Sequence, residues 1–286
     1  MKILIVSQYF YPENFRINDL CNELIDRGHE VSVLTGIPNY PLGSFIKGYN
    51  FYSIGRDQKF NFSVFRVPLF PRFQSKGWQL ALNYLSFAIS ASLFGILFIA
   101  RKRKFDVIFA YEPSPITVGI PAVVFKKIFK VPVIFWVQDL WPDSISAVTN
   151  KKFGFSYRIA SRITHWIYVN CNKILIQSEG FREPCIEQGA KSGDIIYFPN
   201  WAESIFSDNA LESTLANNPY KQDEYFNIVF AGNLGEAQSI ETIIRAANES
   251  RSTKLRWIFI GDGRKKAWLE TKVSQLNLQE VVVFLG

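Results

Sequence analysis

The sequence predicts an α/β fold made of two doubly wound parallel-sheet units, the second of them incomplete. Three observations point to it. Short β-branched and aromatic runs alternate with segments of helical period, which signals a parallel sheet with crossover helices. A polar stretch at 207–224, rich in Asn, Ser and Asp and without a sustained apolar period, interrupts the alternation. Beyond it the alternation starts again at Phe226 and runs for three strands. The expected organisation is an amino-terminal unit over 1–206, a connection over 207–224 and a partial second unit over 225–286.

Strands are expected at 2–7, 31–35, 62–67, 106–111, 131–137, 173–177 and 194–198, because each is a short apolar run bounded by polar or turn residues. The first helix is well marked. Ile17, Leu20, Cys21, Leu24 and Ile25 fall on one helical face, and Gly28 stands where a C-terminal cap belongs. Further helices are expected at 152–170 and 180–188. In the second unit, strands at 226–231, 256–260 and 281–285 alternate with a helix marked by Ile240, Ile243, Ile244 and Ala247 and another after Gly263.

The chain of 286 residues is 48% hydrophobic, enough apolar content for a large core and too much for a disordered protein. Its three cysteines, Cys21, Cys171 and Cys185, are widely spaced, which excludes a disulfide framework and any Cys-x-x-Cys site and suits a reducing cytosol. Two histidines, His29 and His165, exclude a His-rich metal site. Met1-Lys2 leads into an apolar run, residues 3–6, too short for a signal peptide.

The net charge of +7 is carried by one segment. Residues 70–130 hold nine basic and two acidic side chains, so the rest of the chain is neutral in sum. The same segment is rich in Phe, Trp and Leu, which favours an anionic membrane surface over nucleic acid or a merely solvated basic face. Within it, the 24 residues from Gly77 to Ala100 are uncharged and long enough to cross a bilayer. Gln79, Asn83, Ser86 and Ser90 make a polar stripe along that run, and sheet-like segments flank it on both sides. A buried or membrane-grazing helix is expected there, rather than a transmembrane span.

In open parallel sheets, ligands sit at the carboxyl ends of the strands, so the loops there hold the candidate residues. After the first strand, Gln8-Tyr9-Phe10-Tyr11-Pro12-Glu13-Asn14-Phe15-Arg16 leads into a helix N-terminus, either an anion site or an ordinary turn. The fifth strand ends in Phe135-Trp136-Val137-Gln138-Asp139-Leu140-Trp141-Pro142. Asp139 beside two tryptophans suits a sugar, whose hydroxyls a carboxylate accepts and whose apolar face an indole covers. A helix N-cap aspartate with core tryptophans would read the same. In the second unit, Phe230-Ala231-Gly232-Asn233-Leu234-Gly235 and Gly261-Asp262-Gly263 are glycine-bearing turns after strands, open to a phosphate or simply turns.

Taken together and in order, KILIVSQYFYPENFRINDLCNELIDRGHEVSVLTG, VIFWVQDLWPDS, YFPNW, IVFAGNLGEAQSIETII and FIGDGRKKAWLE resemble a bacterial retaining glycosyltransferase of the GT-B fold, glycosyltransferase family 4. Within it the pattern is nearest to the N-acetyl-L-fucosamine transferases of O-antigen and colanic-acid synthesis. The resemblance spans the chain, strongest in the first 50 residues and at 131–144. It implies two Rossmann-like domains facing a cleft. The first takes a lipid-linked glycan acceptor and the second a nucleotide sugar, with no metal or other cofactor. No Asp-x-Asp occurs in the sequence, in keeping with that.

Carried over by position, the resemblance implies catalytic roles for Asp139 and Gln138. Gln138 stands where many relatives have His, so no proton shuttle is expected from it. Acceptor contacts are expected from Glu13, Asn14, Arg16, Glu112 and Trp141. Donor contacts are expected from Gly232, Asn233, Gly235, Gly261, Asp262 and Gly263. Asn233 and Gln238-Ser239 replace the basic pair that clamps the diphosphate in relatives, so a backbone role at most is expected from Gly232, Asn233 and Gly235. The family's Glu-x7-Glu element is expected beyond Gly286, so the chain is expected to be truncated and inactive alone. Its expected place is the inner face of the cytoplasmic membrane, reached through 70–130, with no nucleic-acid partner. Two rival readings are a GT-B nucleotide-sugar 2-epimerase and a non-catalytic membrane-associated fragment.

Overall fold

The computed structural model describes residues 1–74, 76–101, 104–145, 154–202, 224–235 and 238–285. The expected connection at 207–224 lies outside them except for Glu224, as do the basic side chains at 101–103. The chain divides into two compact units, Met1–Asn200 and Trp201–Gly286.

The first unit is built on an eight-stranded sheet. Its strands are β1 Lys2–Ser7, β2 Glu30–Gly36, β3 Gly55–Arg56, β4 Ser63–Val67, β5 Val107–Glu112, β6 Val133–Val137, β7 Lys173–Ile176 and β8 Ile195–Tyr197, in the spatial order β3-β4-β2-β1-β5-β6-β7-β8. All neighbours are parallel except β3, a two-residue antiparallel edge on β4. Nothing in the composition of Gly55-Arg56 marks a strand, because its conformation follows from pairing with β4.

Alternation along β1 sorts the core. Leu4 and Val6 face a cluster with helices α2 (Gly77–Arg101), α3 (Gly119–Phe129) and α4 (Phe155–Asn170), while Ile3 and Ile5 point to the opposite face. Helix α1 (Arg16–Asp26) buries Ile17 and Cys21. Helix α3 was not expected from the sequence, since Gly119-Ile120-Pro121 reads as a breaker. Proline is tolerated in a first turn, where its missing N–H would be unpaired anyway. A short helix, α5 (Arg182–Glu187), precedes β8.

Helix α2 is the long apolar run, the one helix among the described residues long and apolar enough to cross a membrane. It crosses over between β4 and β5. Phe87, Ala91, Phe98 and Ile99 are buried with Leu34, Val67 and Phe125, and Gly95 lets the helix approach so closely that a Cβ there would overlap the Phe125 ring. The polar stripe faces the 68–70 segment: Ser90 Oγ donates to the Pro68 carbonyl (2.5 Å), Asn83 Nδ2 to the Phe70 carbonyl (2.6 Å), and Ser86 Oγ accepts from the Phe70 amide (3.0 Å). Trp78, Leu85, Ile89, Leu93 and Leu97 are exposed.

The second unit holds β9 Phe226–Ala231, α6 Ile240–Glu249, β10 Leu255–Ile260, α7 Lys266–Gln275 and β11 Val282–Leu285, a parallel β11-β10-β9 sheet. Its core joins Ile244 and Ala247 of α6 to Leu269 and Val273 of α7 over Phe259. A hollow of about 250 Å³ beside Val229, Phe230 and Trp257 has only apolar lining and no chemistry.

Candidate functional site

Chain order reverses between the neighbours β1 and β5, since β2 and β4 lie to one side and β6, β7 and β8 to the other. Such a reversal splays the two following loops apart and opens a crevice at the carboxyl edge. The loop after β1, the end of β5 and the end of β6 therefore converge there.

Asp139 follows β6 and is half-buried. Ser144 Oγ donates to its Oδ1 at 2.6 Å. Burial raises its pKa, against the opposing pull of the Ser144 and Ser114 hydroxyls, the Leu140 amide and the Trp141 indole. Glu112, the last residue of β5, is fully buried, and neither carboxyl oxygen has a hydrogen-bond partner of normal geometry. Burial first, and then the charge of Asp139, push its pKa well up; the nearby Asp139 and Gln138 amides offset only part. Burial thus favours the protonated form of both carboxyls, most strongly that of Glu112, which also meets the charge of Asp139.

Gln138 belongs to a ring of amides. Asn200 Nδ2 donates to Gln138 Oε1 and to Gln177 Oε1, both at 2.8 Å, and Gln177 Nε2 donates to the Gln138 carbonyl at 2.9 Å. Its Oε1 is occupied, and Nε2 makes a long bond to the Val137 carbonyl (3.5 Å), which leaves its second hydrogen to meet a ligand oxygen. The two tryptophans separate. Trp136 is a core residue against Tyr111 and Phe198, whereas Trp141 stands half-buried beside Asp139.

In the loop after β1, Glu13 is turned inward. Its Oε1 accepts the Asn39 and Tyr40 amides (both 2.8 Å) and its Oε2 the Phe10 amide (3.2 Å), so it ties the loop after β1 to the loop after β2. Burial outweighs these bonds and lifts its pKa to about 7. Asn14 is exposed at the loop surface, and Arg16 opens α1 with its guanidinium 3.4 Å from Asp19 and its amide on the Tyr111 hydroxyl. Of the expected acceptor residues, Glu112 and Trp141 lie with Asp139; Glu13 shapes a neighbouring loop from within.

In the second unit the two glycine turns bind each other. The Gly232 amide donates to the Ile260 carbonyl and the Leu234 amide to the Asp262 carbonyl, both at 2.9 Å. The Gly235 amide reaches the Asn233 carbonyl at 3.0 Å and the Gly263 amide reaches Asp262 Oδ1 at 2.7 Å. Gly261 takes φ +140°, and a Cβ there would overlap the Gly232 carbonyl, so close packing of the turns requires this glycine. The Asn233 and Asp262 side chains are exposed.

Residues 14–201 match the model of the glycosyl transferase 4-like domain. The chain belongs to this family. It is a glycosyltransferase, and its α/β architecture with a large parallel sheet is of the GT-B type. It is 27% identical over 295 residues to WcaI of Escherichia coli, named as a colanic acid biosynthesis glycosyl transferase, covering 99% of this chain and 71% of that protein. It is 26% identical over 218 residues to WbjE of Pseudomonas aeruginosa, named as a glycosyltransferase, covering 73% of this chain and 53% of the relative. Among solved structures, sucrose-phosphate synthase from Thermosynechococcus elongatus aligns with a TM-score of 0.71 at 13% identity, over 100% of this chain and 70% of that one. HepE of Anabaena, in complex with UDP and glucose, aligns at 0.56 and 16% identity, over 100% and 69%. At these identities the structural likeness concerns the fold.

Several residues of this glycosyltransferase's site escape a reading of the sequence. Ser114 faces both Asp139 and Tyr84. It has φ +121°, a costly conformation for a residue with a Cβ, and its position between Pro113 and Pro115 was the available signal. Asn200 and Ser144 stand within YFPNW and VIFWVQDLWPDS and Gln177 follows a strand, but only their proximity in space gives them a role.

Proposed function

We propose that the chain transfers a sugar, an N-acetylated deoxyamino sugar, from a nucleotide sugar to a lipid-linked glycan in surface-polysaccharide biosynthesis. The place proposed for it is the inner face of the cytoplasmic membrane. The observation that carries this reading is Asp139: a half-buried carboxyl at the carboxyl edge of a reversing parallel sheet, beside the Trp141 indole and the buried carboxyl of Glu112. The name of WcaI supports the class of product, and the UDP bound by HepE supports the class of donor.

In this reading Asp139 accepts the hydrogen of a sugar hydroxyl and fixes the ring against Trp141. Gln138 Nε2 donates to a ring substituent, and the Asn200–Gln177 bonds hold its carboxamide plane. The Asn233 and Asp262 side chains meet the donor in the second unit. Configuration is retained and no metal takes part, as family resemblance implies.

Transfer from radiolabelled nucleotide sugars to a prenyl-diphosphate glycan, by the protein made from its whole gene, tests the reading. Asp139→Asn should cost about 100-fold or more in turnover, as removal of a positioned acid–base or orienting group does, with an unchanged circular-dichroism spectrum. EDTA should leave the rate within about twofold, because no step draws on a metal ion. Full activity in the Asp139→Asn enzyme removes Asp139 from the site.

A further inference from the structure

Arg72 lies on the 68–74 segment after β4 and has no counter-ion among the described residues. Its guanidinium carbon stands 5.1 Å from the Tyr40 ring centre and 5.9 Å from that of Tyr9, and Nη2 is 3.5 Å from the Tyr84 hydroxyl. Its Nε is buried and has no acceptor. Among the described residues no carboxylate lies within ion-pair distance of it, whereas Arg66, one strand earlier, is fully satisfied by Asp57, the Gly36 and Tyr11 carbonyls and the Tyr49 hydroxyl. The backbone at Arg72 and Phe73 is fixed by hydrogen bonds. The Arg72 amide donates to Asn39 Oδ1 (3.2 Å) and the Phe73 amide to the Gly43 carbonyl (2.7 Å). A half-buried cation on aromatic faces, with donors unused, is prepared for an anion from outside.

Two further features choose the anion. Tyr84 reaches from Arg72 to Ser114, and Ser114 reaches on to Asp139, so Arg72 shares the carboxyl edge with the proposed sugar position. Exposed Phe70 and Phe73 flank Arg72, and the exposed apolar stripe of α2 begins at Trp78, six residues on. An anion that offers two adjacent oxygens, as a phosphate ester does, suits a guanidinium fork, and an apolar tail leaving it meets apolar surface. We propose that Arg72 binds a phosphate ester of the lipid-linked acceptor, with the prenyl chain leaving past Phe70, Phe73 and α2. The choice of ligand rests on the function proposed above.

The test reads binding, without donor or transfer, so an inactive chain leaves it valid. Calorimetry on the full chain uses geranyl diphosphate, inorganic pyrophosphate, geraniol and phosphatidylglycerol vesicles as probes. Geranyl diphosphate and pyrophosphate should both bind, geraniol at least about tenfold more weakly than the diphosphate. Arg72→Gln should weaken both phosphate probes by about 10-fold or more, and Arg72→Lys by less, because a point charge keeps part of the attraction. Lys76→Gln, at an exposed neighbouring charge, should leave them within about twofold. Thermal melts establish that each variant is folded. Unchanged geranyl diphosphate binding by folded Arg72→Gln, or equal binding of geraniol, overturns the proposal. A loss confined to the vesicles assigns Arg72 to bilayer headgroups and overturns the acceptor assignment.

Discussion

Arg66 directs its donors into the protein. Burial alone would raise the Asp57 carboxyl, yet the Arg66 guanidinium at 2.7 Å, with the Lys59 amide and the Tyr49 hydroxyl, holds it below its ordinary value. Removing one partner strands the other as a buried charge, so Arg66→Met should cost roughly 3–5 kcal/mol in urea unfolding. Arg66→Met combined with Asp57→Leu should cost clearly less than Arg66→Met alone; an equal or larger loss would mean that packing, not charge, holds this corner. Glu13 gives the opposite pH behaviour. Its carboxyl is raised from 4.5 to about 7, so between these values the folded state keeps a proton that the unfolded chain has released. Stability therefore falls as pH rises through that window, by on the order of 3 kcal/mol, and stays lower above it. Urea midpoints at pH 5 and 8 measure the slope. Glu13→Gln should flatten it while lowering stability at pH 5, because the Phe10 amide then meets an NH2 group instead of Oε2. Asp139 was legible as a candidate because an acidic residue ending an apolar strand stands out. Arg72 was not, because any exposed loop carries arginines and what sets this one apart is that no counter-ion lies beside it among the described residues.

Helix α2 shows what an element's sequence reveals and what it leaves open. Its length and apolar character were plain, and its polar stripe pointed inward to protein rather than to lipid. Which face packs on the sheet depended on small residues. Gly95 brings the helix against Phe125 and Leu34, so Gly95→Leu should destabilise by roughly 2 kcal/mol or more through overpacking, visible as a lower melting temperature. A change within about 0.5 kcal/mol would show that the helix lifts away at no cost. Helix α3 is the converse case. Its Gly-Ile-Pro start hid it, because glycine and proline report local punctuation while the close approach of Gly119 to Ile167 of α4 is a tertiary demand.

At the scale of the molecule, the excess positive charge of 70–130 lies in the same segment as the exposed stripe Leu85, Ile89, Leu93 and Leu97. Binding to anionic vesicles should fall several-fold between 0.1 and 1 M salt, as the screening length shrinks from about 10 to about 3 Å. Replacing Ile89 and Leu93 by Gln should weaken the binding further with an unchanged melting temperature, measured by vesicle sedimentation. Salt-independent binding that survives both substitutions would exclude this surface. The sequence by itself determined the alternation of strands and helices, the two-unit organisation it implies, and the loops that follow β1 and β6, because these depend on near neighbours in the chain. Only the tertiary structure decided that β1 lies beside β5, that Glu112 is fully buried near Asp139, that the glycine turns of the second unit bind each other, and that Arg72 has no counter-ion among the described residues. Burial, charge state and satisfaction depend on what lies across space, and residues as far apart in the chain as Gln138 and Asn200 meet only when the sheet has formed.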